Sequence, residues 1–73
     1  MKVADLRKLR NRTPFRRFQI HLTTGEILPV SHPEHMSIPN DEAELFVVWT
    51  DHDWNLLEAA QVARLSVRRR AAK

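Results

Sequence analysis

Hydrophobic and polar positions change period several times along this chain. Over residues 2–12, Val3, Leu6 and Leu9 fall within a ~120° arc of a helical wheel, and the residues between them are mostly charged. This predicts a short amphipathic helix. Pro14 stops it, and Thr13 before the proline is pushed toward extended geometry. A helix of this length does not stand alone in water, so its apolar stripe requires a sheet or a partner to cover it. Residues 17–23 switch to alternation: Phe18, Ile20 and Leu22 point one way, Gln19, His21 and Thr23 the other. That is a half-buried strand. The only glycine, Gly25, follows Thr24 where a hairpin needs positive φ. Residues 26–32 form the return strand with Leu28 and Val30 inward. Pro29 cannot donate a ladder bond and marks an edge or a bulge.

Residues 33–43 hold Pro33, Pro39, Asn40 and Asp41 and read as a loop. The clearest strand is 44–50, Glu-Leu-Phe-Val-Val-Trp-Thr. Its apolar residues occupy both parities, which predicts cover on both faces. Asp51-His52-Asp53 is a polar turn. Residues 54–67 admit two readings. One is a strand at 54–58, a one-turn corner at Ala59-Ala60-Gln61 and a last strand at 62–67. The other is a helix from about 54 to 70, with Leu56, Ala60, Ala63 and Val67 on one face, Asp53 as cap and Arg68 to Arg70 at the negative end of its dipole. The expected core joins Leu6, Leu9, Phe15 and the hairpin's inward residues to Leu45, Val47, Trp49, Leu56, Val62 and Leu65.

Size limits the functions open to such a chain. With 73 residues and no cysteine, it is one small domain that buries about 60% of its unfolded surface. A large enzyme with a deep cleft and a disulfide-stapled secreted module are both excluded. No apolar run approaches the ~18 residues of a membrane span, and no signal-peptide core follows Met1. The expectation is a cytoplasmic protein.

Charge is strongly segregated behind a net +3. Residues 1–17 carry seven cations against Asp5. Residues 18–63 carry eight acids and no Lys or Arg. Residues 64–73 carry five cations. Such asymmetry speaks to partners, not to fold.

The stretch Thr13-Pro14-Phe15-Arg16-Arg17-Phe18-Gln19-Ile20-His21-Leu22-Thr23-Thr24-Gly25, followed by Val30-Ser31-His32-Pro33-Glu34, resembles a family of small uncharacterised bacterial proteins. That family carries a pattern of Arg-Pro-Phe, Phe, Ile-x-Leu, Gly, then Val-x-His-Pro-Glu, and the resemblance runs from residue 13 to residue 66. It implies no activity. It does imply a corner and a strand at the equivalent of Ala59 to Leu65, which selects the first reading of 54–67. A short basic helix followed by five short strands also resembles the Sm-like barrels. Residues 20–25 match the Ile-x-Leu-x-x-Gly hairpin of their bacterial RNA-chaperone members, and 62–67 match their last strand. The RNA-binding residues do not carry over. Ala59-Ala60 stand where those proteins have Lys-His, and Arg12-Thr13-Pro14-Phe15 keeps one arginine of their basic rim.

Catalytic constellations are absent from the sequence: no cysteine, no Gly-rich phosphate loop, no serine in a nucleophile setting. The chain reads as non-enzymatic, with no cofactor. His32-Pro33-Glu34-His35 offers two imidazoles and a carboxylate, but Pro33 argues against the regular helix that would put His32 and His35 on one face. A third ligand would have to come from His21 or His52. The plainer reading is that His32 ends a strand with its ring partly buried, and that Pro33 starts a turn. The basic ends are the stronger lead. Arg7, Arg10, Arg16 and Arg17, with Arg68, Arg69 and Arg70, have the chemistry to meet nucleic-acid phosphates by counterion release, or to pair with the acidic middle of another copy. Trp54, half exposed beside the polar turn, and Leu57, on the outward parity of its strand, are expected interface residues.

The sequence thus predicts a mainly β fold with an N-terminal helix at about 2–12, forming a small Sm-like or SH3-like barrel of about five strands over 1–67. A disordered basic tail follows at 68–73. The alternative is an α-β-β-β-α two-layer fold. The expected function is a non-catalytic interaction or self-assembly module, a homo-oligomer with a dimer favoured over a ring. Nucleic-acid binding through the basic ends is the alternative, and no membrane association is expected.

Overall fold

The computed structural model describes residues 2–67. One helix, α1 (Val3–Arg10), precedes six strands: β1 (Phe18–Leu22), β2 (Ile27–Val30), β3 (Met36–Ser37), β4 (Leu45–Trp49), β5 (Trp54–Glu58) and β6 (Val62–Val67). They form two antiparallel sheets, ordered β2-β1-β6 and β3-β4-β5. The fold is mainly β, as expected. Among the described residues no ladder joins the two sheets, so they do not close into a barrel. The expected basic tail at 68–73 lies outside the described residues.

Helix α1 forms where the apolar stripe predicts it, two residues shorter at its C-terminal end. Asp5 lies in its first turn and Arg7, Lys8 and Arg10 in its last, each sign matching the helix dipole. The Asn11 N–H bonds back to the Arg7 carbonyl and ends it. Val3 and Leu6 are buried, and Leu9 packs at the margin of the core. The Thr13–Pro14 bond that follows is cis.

The first hairpin matches its expectation closely. Phe18, Ile20 and Leu22 are buried, as are Leu28 and Val30 opposite them. Gly25 takes φ +95°, and its N–H bonds the Leu22 carbonyl at 2.9 Å. Pro29 pairs with Gln19 on β2, an edge strand, where its missing N–H costs no ladder bond.

The chain crosses between sheets twice, each time through one turn of 3-10 helix: Pro33–His35 and Ala59–Gln61. The first crossing corrects the loop expected at 33–43. After it, Met36 and Ser37 pair with Val48 and Val47, making a two-residue strand and raising the strand number to six. Met36 and Ile38 are buried there. The second crossing excludes the α-β-β-β-α alternative, because 54–67 is strand, corner and strand. The Ala59 N–H bonds the Glu44 carbonyl at 2.8 Å and carries the β4–β5 ladder into the corner. Ala59 and Val62 are buried on either side of the turn.

The second sheet reverses one expectation. Phe46, Val48 and Leu57 face the core, while Leu45, Trp49 and Leu56 face out. Val47 is half-buried on that same outer side. Leu57, expected outward, is 8% exposed, whereas Leu56 is 58% exposed. A run that is apolar at both parities leaves the strand's phase open, and one residue of slip exchanges its faces. Here the corner fixes the phase. Buried Ala59 sets Leu57 inward two residues earlier, and Phe46, opposite Leu57, follows. The two tryptophans then lie outside, where an indole N–H can meet water. The core is a single cluster drawn from α1 and both sheets.

Candidate interaction surface

The arginines expected on one nucleic-acid surface have different roles in the fold. Arg7 donates from Nη2 to the Ile38 carbonyl at 3.2 Å, and its Nη1 lies 2.8 Å from Asp41 Oδ1. Arg10 donates from Nη1 to the Met36 carbonyl at 3.1 Å and from Nε to Asn11 Oδ1 at 3.2 Å. These two side chains tie α1 to β3 and the segment after it, whose carbonyls need donors beyond their own ladder. Arg7 Nε is buried with no hydrogen-bond partner, a cost the Asp41 pair helps offset. Arg16 is half-buried, and Arg17 is exposed at the start of β1. Arg68, Arg69 and Arg70 lie outside the described residues.

The histidine motif is superficial. His32 and His35 meet edge to face with ring centroids 4.9 Å apart, and His32 Nδ1 lies 3.9 Å from Glu34 Oε1. The His32 side chain is mostly exposed, unlike the partly buried ring expected, while Pro33 does open a helical turn. Among the described residues no three His, Cys, Asp or Glu side chains come together as a metal-ligand set. His21, the proposed third ligand, shares a hydrogen bond of 2.9 Å between its Nε2 and Ser66 Oγ on the neighbouring strand. Among the described residues, no helix is long and apolar enough to cross a membrane.

The largest feature is the outer face of the second sheet. Its outward residues come in cross-strand pairs: Trp49 opposite Trp54, Val47 opposite Leu56, and Leu45 opposite Glu58. Trp54 is 65% exposed and Trp49 42%. Side chains paired across an antiparallel ladder lie about 5 Å apart, so the four apolar partners of the first two pairs form one continuous patch. Soluble monomers rarely expose contiguous apolar patches beyond a few hundred Å². Strand β5 has β4 as its sole ladder partner among the described residues and leaves its other edge open.

The chain segment that forms the second sheet carries one sign of charge. Between residues 36 and 58 stand Asp41, Glu42, Glu44, Asp51, Asp53 and Glu58, with no Lys or Arg. Asp41 is paired with Arg7. Asp51 and Asp53 lie in the turn between the two tryptophans, with the Thr50 hydroxyl donating to the Asp53 carbonyl. Of the exposed cations among the described residues, Lys2 lies beside the acidic segment 41–45, Lys8 and Arg12 on and just after α1, Arg17 just before β1 and Arg64 on β6. Of the two interface residues expected from sequence, Trp54 belongs to this face and Leu57 does not. Trp49, Leu56, Val47 and Leu45, expected in the core, also lie on this face. The signal that they lie outside is the pair of tryptophans flanking a short polar turn, since a hairpin of that register pairs them on one face. No family model, curated protein or solved structure matches the chain.

Proposed function

We propose that this protein is a non-catalytic self-assembly module whose binding surface is the outer face of the second sheet. The observation that carries the reading is the paired, outward Trp49–Trp54 and Val47–Leu56 patch beside an open strand edge. Tryptophan is enriched at interface hot spots.

The occupant is a second copy of the chain, approaching by its exposed cations. Two acidic faces placed against each other would oppose Asp51, Asp53 and Glu58 with their own duplicates, which is unfavourable. Lys8, Arg12, Arg17 and Arg64 are exposed and have the opposite sign, and arginine over an indole face adds a cation–π attraction. The contact is thus between unlike surfaces. An association that relies on exposed charges of opposite sign is favoured by low salt. The order of helix, hairpin, strands and corner also supports kinship with Sm-like or SH3-like small barrels in an open form.

The nucleic-acid reading has less support, because Arg7 and Arg10 are engaged with backbone carbonyls. A dilution series followed by nuclear magnetic resonance tests the proposal. Between about 10 and 500 μM, a range suited to weak contacts, the indole N–H signals of Trp49 and Trp54 are expected to shift with concentration. Signals that stay fixed, with a steady diffusion coefficient, would remove it.

A further inference from the structure

The outer face of the second sheet runs at one end into a cleft of about 830 Å³ between the first turn of α1 and residues 41–45. Val3, Ala43 and Leu45 contribute its apolar lining, and Glu42, Glu44 and Glu58 its rim. All three glutamates are exposed. None makes an ion pair within 4.0 Å among the described residues, whereas Asp41 is already held by Arg7. The one cation lining the cleft among the described residues is Lys2. Leu45 and Glu58 belong to both the cleft and the outer sheet face, so the two surfaces are continuous.

A groove with an apolar lining and three uncompensated carboxylates suits a cationic segment flanked by small apolar residues. The chain contains one: Val67-Arg68-Arg69-Arg70-Ala71-Ala72. Guanidinium groups match carboxylates in bidentate geometry. Strand β6 leads away from the cleft of its own chain. Val62 follows the corner that lines the cleft, and Val67 lies five residues further along β6, about 16 Å away. The last described residue thus lies far from the cleft of its own molecule, which favours a second copy as the source of the arginines.

We infer that the cleft receives the Arg68–Arg70 segment of a second copy, joining molecules head to tail. The inference rests on the self-assembly reading above and names the segment that anchors it. An interface between unlike surfaces leaves a free cleft at one end and a free tail at the other, so assembly continues beyond two copies unless it closes into a ring.

Charge reversal in the full chain tests it. One variant carries Arg68→Glu, Arg69→Glu and Arg70→Glu. The other carries Glu42→Lys and Glu44→Lys, both at exposed positions. Each alone is expected to weaken self-association about tenfold or more, and an equimolar mixture to restore it, since reversed tail and reversed cleft are again complementary. Wild-type association in the tail variant, together with its loss in Trp54→Ala, would overturn the cleft inference and leave the sheet-face reading standing. A synthetic peptide of residues 66–73 titrated into the tail-reversed variant tests the cleft apart from the sheet face. Amide shifts confined to Ala43, Glu44 and Ala60 support the cleft, and their absence refutes it. Loss of binding to an RNA oligonucleotide on tail reversal, with self-association unchanged, would overturn it in favour of nucleic acid.

Discussion

Gly25 shows how one residue sets a turn. Its φ is +95°, and a Cβ built there meets nothing within 4 Å. The cost of Gly25→Val is therefore backbone strain alone, with no clash. We expect a loss of about 1 kcal/mol or more, seen as a fall in melting temperature of roughly 4–8 °C for a domain of this size. An unchanged melting temperature would refute the turn. Gly25 was legible because a lone glycine between two alternating segments has few other uses. Arg7 was not. On a helix rich in arginine it reads as a solvated or phosphate-binding cation, and only the tertiary structure shows it reaching the Ile38 carbonyl and Asp41. Arg7→Ala is expected to cost about 1–2 kcal/mol, the range for losing a charged hydrogen bond to a carbonyl that then lacks a donor. Chemical denaturation measures it. A cost near zero would show that the Arg7 contacts do not help to hold α1.

At the scale of elements, neighbouring leucines on β5 have opposite fates. Leu57 is buried opposite Phe46, and Leu56 is exposed opposite Val47. Leu57→Ala should destabilise by about 2–4 kcal/mol through lost burial and a residual cavity. Leu56→Ser should stay within about 0.5 kcal/mol, as for ordinary surface changes. Equal costs in urea unfolding would mean that the strand phase is wrong. The sequence placed the ends of β5, the corner and β6 correctly, because the corner resemblance resolved an ambiguous period. It did not set the phase of β4, where Leu45, Phe46, Val47, Val48 and Trp49 are all apolar. An alternating strand announces its inner face; a continuous run leaves that choice to its neighbours. Strand β3 escaped notice for a related reason. Two residues between a 3-10 turn and Pro39 carry no period to read.

At the scale of the whole molecule, charge and hydrophobicity reinforce each other. The segment 36–58 that forms the second sheet is acidic and exposes its aromatic face, while the described cations lie in residues 2–17 and at Arg64. Segregation along the chain was readable from sequence; its alignment with an exposed apolar face was not, because that depends on the phase of β4 and β5. A small domain with limited burial of its own gains most from covering such a face.

Sedimentation of the full chain at about 100 μM in low salt, where a weak charged interface is populated, tests self-assembly through this face most directly. The expected result is a weight-average mass above the 8.6 kDa monomer, returning to monomer in Trp54→Ala while the fold is unchanged by circular dichroism. A monomer mass for the native chain, or undiminished association in folded Trp54→Ala, would contradict the account.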